Sequence, residues 1–211
     1  MPVNQPQNRL YLASKSPRRR ELLKQIGVNF ELLLLREFPA TRQDVDETPT
    51  AGEAADQYVV RIALQKTEAG ALRVQERHLP ILPVLSADTS VVLEDEIIGK
   101  PADAQAAAAT LRRLSGKVHQ VYSAVALSHW GQVHSSLSRT DVRFRELSDD
   151  EIRRYVAGGE PLDKAGAYGI QGYAGAFIVE IRGSYSGVMG LPLYETAQLL
   201  ARFGLGRRHA D

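Results

Sequence analysis

Apolar and polar positions near the start of the chain predict a strand that runs directly into a helix. Residues 10–13 form a short apolar run, and polar residues follow at Ser14 and Ser16. Ser16 suits a helix N-cap and Pro17 suits the first helical position. The next residues form an apolar stripe at helical spacing with a closing glycine: Leu22, Leu23, Ile26 and Gly27.

The rest of the pattern predicts an α/β protein in which strands and helices alternate early and a long hairpin follows. Apolar runs predict strands at 30–35, 81–85 and 176–181, and the run 91–93 is either a continuation of the strand at 81–85 or its neighbour. Alternation predicts a hairpin of 118–130 and 132–145 around Gly131. Helices are predicted over 53–70, from Asp103 to Leu114, from a Ser148–Glu151 capping box to Gly158, and from Leu193 to Phe203. We expect one mixed-sheet α/β domain over 1–211, bent around a cleft into two lobes, with flexible termini at 1–8 and 206–211.

Three consecutive arginines, Arg18, Arg19 and Arg20, fall in the first turn of the first predicted helix. A helix N-terminus already carries positive partial charge, so cations placed there repel it unless an anion is bound. Serine hydroxyls, backbone N–H groups and guanidinium groups at a strand-to-helix junction therefore predict a phosphate site. A helix with solvated arginines is the alternative.

Asp88 is the most informative carboxylate, because it lies between two apolar runs in the segment 86–90. Burying a carboxylate there is costly unless it is paired or bound to a metal, although a turn is an alternative. Lys66 follows Ile62 by four residues on an apolar helix face, so its ammonium either reaches the surface or meets a buried anion. The acidic loop 44–47 is either solvated or supplies one metal-ligating carboxylate at a cleft rim.

Two glycine-dense stretches, 162–175 and 183–193, suggest loops that approach a ligand with their backbone. The signal is weak by itself, because such loops are common.

Composition narrows the possible functions. The 211 residues carry a net charge of +1, which argues against a nucleic-acid partner, and the absence of cysteine excludes disulfides and thiolate chemistry. The polar N-terminus lacks a signal-peptide core, and no apolar run approaches the ~18 residues of a membrane span, so we expect a cytoplasmic protein without membrane contact. The five histidines are scattered, and neither a zinc site nor a Ser-His-Asp set is indicated.

Four separated stretches, 14–27, 86–89 with 98–101, 163–175 and 183–193, resemble the Maf family of nucleotide pyrophosphatases in sequence and order. The acidic loop and the helix from Tyr58 to Lys66 also match. The resemblance implies a fold similar to the inosine triphosphate pyrophosphatases: an elongated mixed sheet with flanking helices and a central cleft. It also implies hydrolysis of a nucleoside triphosphate to the monophosphate and pyrophosphate with Mg²⁺ or Mn²⁺, and a possible homodimer.

The resemblance assigns roles to individual residues. Asp88 matches the proton acceptor and, with Glu47, would bind the metal. The substrate-binding set comprises Ser14, Arg18, Arg19, Lys66, Thr89, Lys100, Lys164 and Gln171. Within it, Arg18, Thr89 and Gln171 match positions that mark the subfamily acting on dTTP and UTP. A non-catalytic module that senses nucleotides or binds nucleic acid, and regulates septum formation, is the alternative. The segments 33–43 and 73–83 look longer than usual in the family and are expected to lengthen loops.

Overall fold

The computed structural model describes residues 9–36 and 43–205. The strands are β1 Arg9–Leu12, β2 Asn29–Leu32, β3 Val84–Leu93, β4 Glu96–Ile98, β5 Val118–His129, β6 Gln132–Phe144 and β7 Ile178–Arg182. The helices are α1 Pro17–Gln25, α2 Ala55–Glu76, α3 Ala104–Leu114, α4 Asp149–Ala157, α5 Tyr185–Met189 and α6 Leu193–Arg202. Three short 3₁₀ segments join α4 to β7: Glu160–Asp163, Ala165–Ala167 and Tyr173–Phe177. None of these helices is long and apolar enough to cross a membrane.

The described strands form one seven-stranded mixed sheet in the order β2-β1-β3-β5-β6-β7, with β4 paired to β3. β1 runs parallel to β2 and β3, whereas β3, β5, β6 and β7 pair antiparallel in succession. The predicted mixed-sheet α/β fold is confirmed. Since β3 pairs with β1, β4 and β5, its residues lie in the middle of the sheet.

Two large apolar clusters divide the core along β3. The first half of the strand contributes Leu85 to a cluster with β1, α1 and α6, and the second half contributes Val91 to a cluster with α3, α4 and the 3₁₀ segments. The polar residues 88–90 lie between these two clusters. The middle of β3 is therefore the place where the apolar core gives way to polar side chains.

Several local predictions are confirmed at the level of single hydrogen bonds. The Ser16 hydroxyl accepts the Arg19 N–H at the start of α1, as an N-cap should. Ser148 and Glu151 form the predicted capping box of α4. Trp130 and Gly131 form the β5–β6 turn with positive φ angles.

Other predictions are corrected. The strand expected to begin at residue 81 begins at Val84, and of the two alternatives for 91–93 the continuation is correct, because the polar residues 86–90 belong to the β3–β5 ladder. The buried strand expected at 30–35 is a four-residue strand, β2, with exposed and half-buried side chains, since it pairs with β1 at the outer end of the sheet order. α2 extends beyond residue 70 to Glu76, so the start of the segment 73–83 is helical. The predicted flexible termini lie outside the described residues.

His119 on β5 is fully buried beneath two aromatic rings. Its Nε2 lies 2.9 Å from the Tyr168 hydroxyl, and its ring meets Phe144 edge-on at a centroid distance of 4.9 Å. Burial lowers the pKa of His119 to about 4. Since an unfolded histidine titrates near pH 6.5, the unfolded chain binds more protons between these values, and stability must fall as the pH falls through that window.

We therefore expect the free energy of unfolding to decrease by about 2 kcal/mol between pH 7 and pH 5 on account of His119. His119→Gln keeps a hydrogen-bonding side chain but cannot titrate, so most of this pH dependence should disappear. Urea unfolding of both proteins at the two pH values measures the effect. Equal pH dependence in the two proteins would contradict the assignment.

Candidate active site

A cleft of about 1260 Å³ opens over the middle of β3. Its walls come from the start of α1, the loop 43–50, α2, the turn after β4, the 3₁₀ segments and the end of α5. The structure brings every predicted site residue to this cleft: Ser14, Arg18, Arg19, Glu47, Lys66, Asp88, Thr89, Lys100, Lys164 and Gln171. Residues far apart in the chain therefore share one concave surface, as expected of a ligand site.

Lys66 and two carboxylates form the charged centre of the cleft. The Lys66 ammonium lies 2.9 Å from Asp88 Oδ1 and 2.9 Å from Glu47 Oε1. The side chains of Asp88 and Lys66 are only 11% and 15% exposed, whereas that of Glu47 is 56% exposed. α2 packs on β3 and β5 through Val59, Ile62 and Ala63, and this packing directs Lys66 at the sheet. The lysine predicted either to reach the surface or to meet a buried anion does the latter.

The loop that carries Glu47 is anchored to α2. The Tyr58 hydroxyl donates to the Glu47 carbonyl oxygen at 2.9 Å, and Arg61 donates to the Thr48 carbonyl oxygen at 3.2 Å. At the loop's beginning, the buried carboxylate of Asp44 accepts from Arg73 Nε at 2.9 Å. These contacts hold the Glu47 backbone beside Lys66.

Arg19 turns back from α1 into the cleft and joins three segments of the chain. Its Nε donates to the Gly190 carbonyl oxygen at 2.7 Å, Nη1 donates to the Ser14 hydroxyl at 3.3 Å, and Nη2 donates to Thr89 Oγ1 at 3.5 Å. These bonds fix the plane of the guanidinium and leave its other N–H groups for a ligand. The predicted convergence of serine, arginine and helix N-terminus is present.

Electrostatics distinguish Arg19 from a surface arginine. Burial lowers the pKa of its guanidinium, and the charges of Asp88 and Glu47 oppose that change. Burial, reinforced by the same two carboxylates, raises the pKa of Tyr58 to about 12. Arginine stays protonated even when buried, so the cleft holds a fixed cation opposite its carboxylates.

The remaining predicted residues lie around the rim. Arg18 is half-buried, whereas Lys100 and Gln171 are exposed. The Lys164 ammonium donates to the Glu160 carbonyl oxygen and to Asp163 Oδ1, each at 2.6 Å, so it also stabilises its own loop.

Hydrogen bonds of the Glu160 carboxylate hold the glycine-dense loop 162–175 in place. One carboxylate oxygen accepts from the Tyr155 hydroxyl at 3.1 Å, and the other accepts from the Tyr173 N–H at 3.2 Å. A Cβ atom on Gly172 would overlap this carboxylate, so glycine allows the backbone to approach it. Before Gln171, the Gly169 N–H donates to the Tyr155 hydroxyl at 3.3 Å, so the backbone is held on both sides of Gln171, whose own side chain is exposed.

The carboxylates fit a hard divalent cation only together with a ligand. Within 9–36 and 43–205, no three acidic, imidazole or thiol side chains come together as a metal site. Mg²⁺, however, is commonly bound through one or two protein carboxylates plus substrate phosphates and water. Glu47 and Asp88 already converge on one cation, the Lys66 ammonium. Because two carboxylates face a single ammonium, negative charge remains for a second cation. The donor set therefore fits a metal that arrives with a phosphate ligand.

Some residues that shape the site carried no signal in the sequence. Tyr155 and Glu160 brace the glycine-dense loop, and Ser123 contacts Thr89 from the neighbouring strand. Their hydrogen bonds join distant parts of the chain, which local patterns cannot indicate.

Comparison with known proteins agrees with this geometry. Residues 9–203 match the family model described as Maf-like protein. The chain belongs to the Maf family. The resemblance that the site motifs indicated is confirmed, and the match covers all the elements that line the cleft.

Close relatives within the Maf family have been given a function. A protein of Aromatoleum aromaticum named dTTP/UTP pyrophosphatase is 62% identical over 94% of this chain and 97% of its own length. A Nitrosomonas europaea protein with the same name is 57% identical over 94% of this chain and 96% of its own length. The solved structure of the Staphylococcus aureus Ham1 protein is 17% identical, with a TM-score of 0.43 over 67% of this chain and 72% of that one.

Gly166 provides a test of how the glycine-dense loop is held against β3. Its φ angle is +69°, and an added Cβ would lie 2.8 Å from a Val91 methyl group. We expect Gly166→Ala to lower the free energy of unfolding by ~1–3 kcal/mol, as overpacking does. Gly99→Ala is the control, because a Cβ there meets nothing within 4 Å and should change stability by no more than ~0.5 kcal/mol. Denaturant unfolding of both variants checks this, and equal stabilities would contradict the close contact.

Proposed function

We propose that this protein hydrolyses dTTP and UTP to the monophosphate and pyrophosphate. The observation that carries the proposal is the juxtaposition, in one cleft, of the Asp88–Lys66–Glu47 cluster with the half-buried Arg19. Carboxylates that can accept a proton thus lie in the same cleft as cations that can bind phosphates. The names of the relatives at 57–62% identity support the same activity and do not favour the non-catalytic alternative.

The cations serve to hold the triphosphate. Arg19 offers its unoccupied N–H groups from a fixed plane, and Arg18 lines the cleft beside it. Lys100 also lines the cleft, and its exposed side chain can move toward an anion. Negative charge grows on the phosphoryl oxygens during the reaction, so fixed cations stabilise the transition state with little reorganisation.

Asp88 serves as the proton acceptor. Water attacks the α-phosphorus, the bond from that phosphorus to the bridging oxygen breaks, and pyrophosphate leaves. The proton of the attacking water passes to the Asp88 carboxylate. Lys66 orients this carboxylate through its 2.9 Å contact and stabilises its negative charge. Glu47 and Asp88 would hold Mg²⁺ or Mn²⁺, which supplies charge neutralisation to the phosphates when bound.

The base is read, in this proposal, by Gln171, Thr89 and Arg18. All three line the cleft, and Gln171 is presented by a loop that Glu160 fixes. A glutamine amide can pair with the N3–H and O4 groups of thymine or uracil. A cytoplasmic location and a homodimer stay predictions.

Asp88→Asn tests the chemical role, since it keeps the shape of the side chain and removes its charge. We expect hydrolysis of UTP to fall at least ~100-fold, the low end for losing acid–base assistance. Asp95→Asn is the matched control, because Asp95 lies in the exposed β3–β4 turn and should retain wild-type turnover. Pyrophosphate release from a panel of nucleoside triphosphates with Mg²⁺ or Mn²⁺ gives the measurement.

Two outcomes would contradict the proposal. Near-wild-type turnover in Asp88→Asn, with folding shown by circular dichroism, removes Asp88 from the chemistry. Failure of the wild-type protein to release pyrophosphate from any triphosphate in the panel removes the activity itself.

A further inference from the structure

Thr89 does not stand alone in the cleft, because Ser123 contacts it from the neighbouring strand. The two residues are paired across the β3–β5 ladder, and their hydroxyl oxygens lie 2.9 Å apart. Ser123 is 1% exposed and does not line the cleft, whereas Thr89 is half-buried and does. Ser123 therefore cannot touch a ligand itself and must act through a neighbour, and its partner Thr89 does line the cleft.

The direction of the hydrogen bond between Thr89 and Ser123 follows from another partner of Ser123, the Gly187 carbonyl oxygen. Ser123 Oγ donates to the Gly187 carbonyl oxygen at 2.7 Å, and that oxygen also accepts the Gly190 N–H at 2.9 Å. A carbonyl oxygen can only accept, so the single hydroxyl proton of Ser123 is committed to it. Thr89 must then donate its own proton to Ser123.

Once its proton is donated to Ser123, the Thr89 hydroxyl oxygen can only accept further hydrogen bonds. One of them faces Arg19 Nη2 at 3.5 Å, and that group can only donate. Thr89 therefore offers the cleft an acceptor and no proton. A phosphate oxygen, which carries lone pairs and no proton when ionised, would be repelled there, whereas an N–H or O–H group would be bound.

We propose that Ser123 is a specificity-determining positioning residue that fixes Thr89 as an acceptor, so that this point of the cleft selects a hydrogen-bond donor on the nucleoside part of the substrate. The proposal rests on the function proposed above and deepens it. Two groups of uridine triphosphate have the required chemistry: the N3–H of the base and a sugar hydroxyl. Cytosine has an acceptor at N3. If the donor is the N3–H of uracil, the Thr89 acceptor therefore also discriminates against CTP.

The test uses Ser123→Ala, which frees the Thr89 hydroxyl to rotate and to donate. The control is Ser128→Ala, a buried serine on the same strand that does not line the cleft. The values of kcat/KM are measured for UTP, CTP and 3′-deoxy-UTP, and dissociation constants are measured for their α,β-methylene analogues. Comparing substrates within one variant cancels a general loss of folded protein.

In Ser123→Ala we expect one of the two substrate preferences to narrow by about fivefold or more, the low end for a buried polar mismatch. A narrowed UTP/CTP ratio assigns the donor to the base, and a narrowed ratio of UTP to 3′-deoxy-UTP assigns it to the sugar. Ser128→Ala should leave both ratios at the wild-type value.

Unchanged ratios in a folded Ser123→Ala, or equal changes in Ser128→Ala, would overturn the proposal. Should Ser123→Ala fail to fold, Thr89→Val replaces it, because this isostere removes the acceptor and must narrow the same ratio. The binding measurements separate the two claims. If Ser123→Ala narrows the binding preference among the analogues but the wild type hydrolyses nothing, the proposed function fails and the role of Ser123 stands.

Discussion

A carboxylate in the middle of a central strand is the constraint on which this structure depends. Asp88 lies in β3, between two apolar clusters, where an unpaired charge would be strongly unfavourable. Lys66 supplies the partner, and α2 must lie across the sheet for its ammonium to reach Asp88. The loop that carries Glu47 is in turn tied to α2 by Tyr58 and Arg61. The position of one carboxylate thus fixes a helix and a loop.

Another wall of the cleft depends on the last turn of α5 and its C-cap Gly190, residues 187–190. Its Gly190 carbonyl oxygen accepts from Arg19, and its Gly187 carbonyl oxygen accepts from Ser123. The same few backbone atoms therefore position Arg19, which is expected to meet phosphate, and Ser123, which holds the Thr89 hydroxyl that is expected to meet the nucleoside. Chemistry and selectivity are coupled through this turn, so a substitution that displaces it should change both.

How much the sequence could predict depended on the range of the interaction. Caps such as Ser16 and the box of Ser148 and Glu151 were predicted because their partners lie within a few residues. The buried strand at 30–35 was wrong, because an apolar run does not reveal whether a strand lies inside a sheet or at its edge. The cleft residues were found through the Maf resemblance and the unusual position of Asp88. Ser123 gave no signal, since its partners are 34 and 64 residues away.

The site of water attack can be read from the fate of isotopic oxygen during hydrolysis of UTP in ¹⁸O-labelled water. An enzyme that activates water beside Asp88 for attack at the α-phosphorus must place the label in UMP and none in pyrophosphate. Mass spectrometry of the two products distinguishes them in one experiment. Attack at the α-phosphorus predicts label in UMP alone. Label in pyrophosphate, or release of labelled inorganic phosphate, would contradict it, because the water would then have attacked a different phosphorus.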